Sequence, residues 1–374
     1  MKIGIPKETR ANETRVAATP ETVKKFKALG VDIVVEAGAG AAAHFTDAAY
    51  SAVGASLVSQ ADAFGADVVL KVARPTADET KLLAKGATLV AILAPYADKA
   101  AVTQYASTGV NAFAMEFMPR ITRAQSMDVL SSQSNLAGYK AVIDAAGLFG
   151  RAFPMMMTAA GTIAAARVLV MGVGVAGLQA IATAKRLGAI VSATDVRLAT
   201  KEQVKSLGGT FVAVEDEETR QAETAGGYAK EMSDGYKLKQ AALISETIKK
   251  QDIVITTALI PGRPAPILVS EEMVRLMKPG SIIIDLAAEQ GGNCPLTKAG
   301  ETIEFNGVKI VGAVNLAGRL SADASSLYAR NLFNFLSPLV DKATKALKID
   351  WNDEIIKGTC LTRDGEVIHP SVKA

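Results

Sequence analysis

The stretch from Arg167 to Arg197 restricts what this chain can fold into more than any other. Val168 to Met171 is a short, wholly apolar run, which predicts a buried parallel strand. Gly172, Gly174 and Gly177 follow at the spacing G-x-G-x-x-G. Leu178 to Leu187 predicts a helix closed by Gly188, and Ile190 to Ala193 a second strand with Asp195 at its end. Strand, glycine turn, helix, strand and acid in that order predict a βαβ unit of the dinucleotide-binding kind.

Each position has a physical task. Gly172 allows the tight turn, Gly174 lets backbone approach a pyrophosphate, and Gly177 lets the helix pack close to the strand. Val175 and Ala176 complete the cradle, and the free N–H groups and positive end of the helix dipole face the phosphates. Asp195 lies about twenty residues on, where a carboxylate accepts the ribose hydroxyls of NAD and repels the 2′-phosphate of NADP. Arg197 weakens that discrimination, because an arginine there can hold a 2′-phosphate. Two other readings stand beside this one. The glycines could serve helix–strand packing with no ligand. Alternatively, residues Ala152 to Ala184 carry one charge, Arg167, and exceed the roughly twenty residues that a membrane span needs. The glycines, the strand-like start and the acid-tipped second strand argue against a span.

At 374 residues the chain has room for two domains. A net charge of +3 is too small to argue for nucleic acid or an acidic membrane surface, and scarce aromatics offer no platform for stacking bases. Lys2, Lys7, Glu8 and Arg10 interrupt any signal-peptide core. Cys294 and Cys360 form no metal pattern, so a reduced, cytosolic chain with no metal site is expected. His44 and His369 are its only histidines.

Ahead of the glycine motif, strands are predicted at Lys2–Ile5, Asp32–Glu36, Ala66–Val72, Ala87–Leu93 and Val110–Ala114. Helices alternate with them: one after Thr19-Pro20, one from Thr46-Asp47, then Asp78–Lys85 and Asp98–Ser107. Such alternation predicts a doubly wound parallel sheet. Gly38 and Gly40 lack a third glycine and an acid, so they read as a loop. Met115 to Ser134 is polar and irregular, a functional loop or a surface connection, and Asn135–Arg151 is a linking helix. After the motif come a helix near Lys201–Leu207 and a strand near Phe211–Val214. An acidic loop leads to Thr224-Ala-Gly-Gly-Tyr-Ala-Lys, a glycine-flanked tip that reads as mobile. A helix at Tyr236–Lys249, a strand at Ile253–Thr257 and a helix ending at Met273–Met277 follow. Strands at Ser281–Leu286 and Val308–Val311 precede a long helix at Asp323–Ala346 and small strands at Lys357–Thr362 and Val367–His369. The expected architecture is α/β: two doubly wound, Rossmann-like parallel sheets with a cleft between them. The expected domains are 1–134 with 323–374, and 135–322.

The start Gly4-Ile-Pro-Lys-Glu-Thr with Glu13-Thr-Arg-Val resembles the N-terminus shared by alanine dehydrogenases and the NAD(H)-binding domain of proton-translocating transhydrogenase. Leu259-Ile-Pro-Gly, Met277-Lys-Pro-Gly and Gly291-Gly-Asn-Cys are shared features. Two stretches separate the branches. Residues 123–139 resemble the nicotinamide-side loop of transhydrogenase, and Thr224-Ala-Gly-Gly-Tyr-Ala-Lys-Glu-Met its mobile loop. The resemblance spans the whole chain. It implies NAD(H) binding and a homodimer. It also implies docking on a membrane-spanning subunit and on a subunit that binds NADP(H). It therefore implies a cytoplasmic chain, peripheral on the inner face of the membrane through those partners. It assigns the nicotinamide end to Arg120, Gln125, Asp128 and Ser131, and the adenosine end to Asp195, Val196 and Arg197. Gly227 and Tyr228 would close over the nucleotide, and Gln240 and Leu259 would line the site. No membrane helix and no further Rossmann unit follows, so a separate subunit or a truncated piece is expected. Asn315-Leu-Ala-Gly-Arg has Ala317 where the family has proline, which puts that local turn in question.

The other branch needs Arg and Lys for a substrate carboxylate and a His as acid/base. Arg15 and Lys71 stand at the matching places, but the stretch after the strand reads Leu93-Ala-Pro-Tyr-Ala, without a histidine, and Glu289 replaces an Asp. Imine chemistry then lacks a proton carrier. Hydride transfer between two nicotinamides needs none, only close rings and excluded water. A non-catalytic NAD-binding regulator is a third reading.

Overall fold

The computed structural model describes residues 1–214, 232–260 and 262–373. They form two compact units, one of residues 1–133 with 317–374 and one of residues 134–316.

In the first unit, β1 (Lys2–Ile5), β2 (Asp32–Glu36), β3 (Ser56–Val58), β4 (Val68–Ala73), β5 (Thr88–Ile92) and β6 (Asn111–Ala114) run parallel. Their spatial order is β3-β2-β1-β4-β5-β6, so the connections reverse direction between β1 and β4. Helices α1 (Pro20–Ala28), α2 (Asp47–Ala52), α3 (Gln60–Phe64), α4 (Ala77–Thr80) and α5 (Lys99–Ser107) connect them. The starts are set by caps: Thr19, Thr46, Ser59, Thr76 and Asp98 each accept a first-turn N–H. Fully buried Ile3, Val35, Val68 and Val90 on one face of the sheet and Val69, Leu89 and Ala91 on the other fill its two core layers. Burying both faces of the strands accounts for their unbroken apolar runs.

Helix α6 (Val129–Leu148) begins in the first unit and continues into the second. The second unit opens with a two-stranded hairpin, β7 (Met156–Thr158) and β8 (Gly161–Ile163). Its sheet holds β9 (Arg167–Met171), β10 (Ile190–Thr194), β11 (Thr210–Phe211), β12 (Ile253–Thr256), β13 (Ile282–Asp285), β14 (Thr302–Phe305) and β15 (Val308–Gly312). The order is β11-β10-β9-β12-β13-β15-β14, parallel except at the β14 edge. The reversal falls between β9 and β12, at whose carboxyl ends an open α/β sheet binds its ligand. Helices α7 (Val175–Arg186), α8 (Thr200–Ser206), α9 (Asp234–Ile248) and α10 (Glu271–Leu276) belong to this unit. The chain then returns to the first unit through α11 (Ser321–Leu336) and α12 (Glu354–Thr359). There β16 (Cys360–Arg363) and β17 (Glu366–Val367) extend the sheet antiparallel beyond β6.

Several expectations need correction. The helix expected to start at Asn135 starts at Val129, because the Asp128 carboxylate accepts from Ser131 N–H at 3.0 Å and so caps the first turn. Much of the supposed irregular loop is therefore ordered, with 3₁₀ turns at Met115–Phe117 and Thr122–Met127. The long helix ends at Leu336 rather than Ala346, since Pro338 cannot continue the N–H ladder. The first half of the segment expected as a strand at Lys357–Thr362 is the end of helix α12, capped by Asp353, and the strand begins at Cys360. The helix expected at Asp78–Lys85 is only the four residues of α4, Ala77–Thr80. The β7–β8 hairpin and β14 were not anticipated. No helix among the described residues is long and apolar enough to cross a membrane.

Candidate functional site

The glycine turn lies at the carboxyl end of β9. Gly172 has φ +97°, a left-handed value that favours glycine, and a Cβ there would lie 2.6 Å from Thr257 Oγ1. Gly177 is closer still: its Cβ would lie 1.9 Å from the carbonyl oxygen of Gly172. Helix and strand therefore touch backbone to backbone. Gly174 is the N-cap of α7 and offers no side-chain cap; a Cβ there would meet nothing within 4 Å. Open space beside an uncapped first turn that includes Val175, Ala176 and Gly177 fits a pyrophosphate.

Asp195 follows β10, largely buried at 8% exposure. Its Oδ2 accepts from Val173 N–H at 2.7 Å and from Arg197 Nη2 at 2.8 Å. Its Oδ1 accepts from Arg197 N–H and from Arg197 Nε, both at 2.9 Å. The acid is thus tied to the glycine turn and gripped by a two-pronged guanidinium. Val196 packs against buried Met232 and Tyr236 of the α9 region. Gln240 is half-buried on α9.

Leu259 is 42% exposed in the segment after β12. That segment is held by two side chains that sequence reading did not single out. Thr257 Oγ1 donates to the Gly172 carbonyl at 2.9 Å, bridging the switch point. Asn293, fully buried, accepts from Ala258 N–H at 3.1 Å and donates to the carbonyls of Ala258 at 2.9 Å and Pro266 at 2.7 Å. Asp285 in turn accepts from Asn293 N–H and Thr297 Oγ1, each at 2.7 Å. The Gly291-Gly-Asn-Cys motif was the available signal, but its tether spans 35 residues and is invisible to local pattern. Gly138 was also missed. In α6 it packs against Ala176, where a Cβ would stand 2.1 Å from the carbonyl oxygen.

Of the residues expected at the nicotinamide end, Arg120 and Gln125 are exposed, Gln125 within the Thr122–Met127 3₁₀ turn. Asp128 also accepts from Ser131 Oγ, at 2.5 Å, so these two are mutually satisfied. The segment is pinned to α11 through Asn331 and Asn334, which donate to the Ser126 carbonyl at 2.9 and 3.1 Å. Arg123 holds it to Asp353 by two bonds of 2.6 and 3.0 Å. Gly227 and Tyr228 lie outside the described residues.

The first unit has a cavity of about 120 Å³ at the ends of β4 and β5, lined by Arg10, Arg15, Arg74, Ile92 and Ala94 among others. Its cations are already engaged. Arg15 bonds Glu13 through Nε at 2.7 Å and Nη2 at 2.6 Å, and Gln133 through Nη1 at 2.8 Å. Burial works against its charge, but the Glu13 carboxylate outweighs that and raises the pKa. Lys71, 1% exposed, lies 3.1 Å from Glu8 and 3.8 Å from Glu79. Burial pushes the Glu8 carboxyl above its usual range against the pull of that ammonium. Ala94, at φ +47°, presents a methyl group to the cavity, and Glu116 fixes the turn by accepting from Leu93 and Ala94 N–H. Arg15 and Lys71 are thus ion-paired, and the lining of the cavity holds no histidine. Ala317 has φ −61°, the value a proline would impose, so the substitution leaves that turn intact.

A family profile described as the alanine dehydrogenase/PNT N-terminal domain matches residues 4–137, and its C-terminal counterpart matches residues 141–370. The chain belongs to the alanine dehydrogenase/PNT family, in its transhydrogenase alpha-subunit branch, which makes it an oxidoreductase of the transhydrogenase type. It is 59% identical over 379 residues to an NAD(P) transhydrogenase alpha-subunit chain of Rhodospirillum rubrum, covering 100% of this chain and 99% of that one. A solved transhydrogenase structure from Sinorhizobium meliloti superposes with a TM-score of 0.90 at 56% identity, covering 98% of this chain and 100% of that one. An L-alanine dehydrogenase structure is more distant, with a TM-score of 0.84 at 26% identity over 100% of this chain and 98% of that one.

Proposed function

We propose that this chain is the NAD(H)-binding subunit of a proton-translocating transhydrogenase. It exchanges hydride with NADP(H) bound on a partner subunit, while a membrane-spanning subunit couples the exchange to proton movement. When bound, NADH supplies the hydride, and transfer to NADP⁺ leaves NAD⁺ and NADPH. The backbone of Gly172–Gly177 cradles the pyrophosphate, Asp195 takes the adenosine ribose, and Leu259 lines the site. Gln125 and its neighbours Arg120, Asp128 and Ser131 orient the nicotinamide. No proton is exchanged at the reacting carbons, so positioning and exclusion of water suffice.

The single observation that carries this reading is the pairing of a glycine cradle with a histidine-free cavity whose Arg15 is neutralised by Glu13, beside a Lys71 that is paired to Glu8. The same reading makes the subunit a homodimer, peripheral on the inner face of the membrane. The hairpin β7–β8 supports the dimer: Met155, Met156, Met157 and Ile163 are 40–76% exposed, and a lone two-stranded hairpin is marginal in water. A turnover assay tests the proposal. The chain alone should neither aminate pyruvate with ammonia and NADH nor reduce NADP⁺, and adding an NADP(H)-binding subunit should restore only the second reaction. Pyruvate amination at enzymatic speed would move the chain to the dehydrogenase branch.

A further inference from the structure

Thr122–Met127 is a 3₁₀ turn of six residues, longer than the about three or four that such turns usually reach before their poorly aligned hydrogen bonds give out. Ile121, at its N-cap, offers no side-chain bond. The turn therefore depends on contacts from outside itself. Ala124 and Met127 are buried in the core of the first unit, and Asn331 and Asn334 of α11 donate to the Ser126 carbonyl. The remaining hold is at Arg123. Its Nη1 donates to Asp353 Oδ2 at 2.6 Å and its Nη2 to Oδ1 at 3.0 Å. Glu354 Oε1 lies 3.7 Å from Nη2. Two parallel bonds between planar groups fix orientation as well as distance. Asp353 is itself fixed, because its Oδ1 accepts from Ile355 N–H at 2.7 Å as the N-cap of α12. Helix α12 is in turn anchored by Ile355 and Ile356 in the core. The Arg123 guanidinium keeps the Asp353 carboxyl below the usual carboxylate range, so the pair is ionised at neutral pH.

The Arg123 side chain is 54% exposed and that of Asp353 24%. A pair so open to water contributes little to the stability of a fold. Its effect is local: it fixes the start of the turn, two residues before Gln125. We propose that Arg123 is a positioning residue for hydride transfer, which clamps the start of this turn to α12 through Asp353 and so sets how Gln125 meets the nicotinamide. Gln125 is exposed between buried Ala124 and Met127, so the path of the backbone decides where its amide points. The inference rests on the reading that Gln125 lies at the nicotinamide end.

Two measurements on the full chain test the clamp. Amide hydrogen exchange needs no nucleotide. Arg123→Ala, and Asp353→Asn, which keeps an N-cap acceptor for α12, should each speed exchange at residues 122–127 with little change in melting temperature. In the complex with an NADP(H)-binding subunit, each should slow hydride transfer about tenfold, because a small misplacement of reacting groups is costly, while the NADH dissociation constant stays near normal. The double variant should lose no more than either single one, since both remove the same contact. Arg123→Lys keeps the charge without the fork and should recover only part of the loss. Exchange and transfer unmoved in both single variants, or losses that multiply in the double variant, overturn the clamp. Faster exchange across the whole chain with a lowered melting temperature makes the pair a fold contact and also overturns it. Local exchange that rises while transfer stays at the unmodified rate overturns the positioning role. If Gln125→Asn leaves transfer unmoved as well, the reading that puts Gln125 at the nicotinamide falls with it.

Discussion

Gly138→Ala sets two effects of known size against each other. Alanine stabilises a helix interior over glycine by about 1 kcal/mol, so propensity alone predicts a gain. Yet the new Cβ would stand 2.1 Å from the Ala176 oxygen, 2.8 Å from its carbonyl carbon and 3.0 Å from its Cα. Ordinary contact lies at about 3.3–3.6 Å between carbon and carbonyl oxygen, so helix α6 and the turn must part by roughly 1 Å. The obstacle is backbone at the start of α7 and cannot swing aside as a side chain would. Overpacking of this kind costs about 1–3 kcal/mol, which exceeds the propensity gain. The net expectation is a loss of about 1–2 kcal/mol, seen as a fall of several degrees in melting temperature. If Ala176 belongs to the phosphate cradle as proposed, the displacement should also weaken NADH binding about tenfold, or ~1.4 kcal/mol. Gly147, near the end of the same helix, is the control, because a Cβ there meets nothing within 4 Å. Gly147→Ala should raise the melting temperature slightly and leave NADH affinity alone. Calorimetry with NADH titration on both variants decides. If Gly138→Ala stabilises as Gly147→Ala does, with unchanged NADH affinity, the close packing of α6 on the nucleotide turn is wrong.

Asn293→Ala removes three buried hydrogen bonds and should cost about 2–4 kcal/mol in denaturant unfolding, with weaker NADH binding; an unshifted midpoint counts against the tether. Lys71→Ala leaves Glu8 buried without its cation and should cost about 3–5 kcal/mol near neutral pH. Because the folded-state pKa of Glu8 is raised, ionisation opposes folding as pH rises, so this penalty should shrink as pH falls toward the carboxylate range; a constant penalty contradicts the pairing. Burial pushes the Cys360 thiol up to about 12. Its protonated form is favoured in the fold, so stability should decline as pH climbs from the unfolded thiol range near 9 toward 12, and thiol reagents should label Cys360 only on unfolding. Gln125→Asn shortens the amide's reach by one methylene. NADH binding should stay near normal while hydride transfer in the complex falls on the order of a hundredfold, and an unchanged rate places Gln125 outside the site.

The β9–α7–β10 arrangement was legible because three local signals agree: an apolar strand, glycines at a fixed spacing, and an acid after the second strand. The sequence also carried signals that were overlooked. Pro338 marks the end of α11, Asp353 caps α12, and Asp128 caps α6. The β7–β8 hairpin has no such punctuation, because its apolar residues show no period and both strands are exposed. Tertiary contact decided the remainder. Whether Asp195 faces solvent or Arg197, and that Asn293 reaches Ala258 and Pro266, depends on side-chain directions that no spacing encodes. A glycine such as Gly138 ordinarily weakens a helix interior; its reason here is a neighbour 38 positions away.

The central claim is direct exchange of hydride between two nucleotides, one of them on this chain. NADH carrying deuterium at the transferable position, mixed in a stopped-flow instrument with this subunit and an NADP(H)-binding subunit loaded with an NADP⁺ analogue, tests it most directly. The account predicts rapid reduction of the analogue with the deuterium wholly retained in the product, and no reduction without this subunit. Deuterium lost to solvent, or reduction at an equal rate in its absence, would contradict the account.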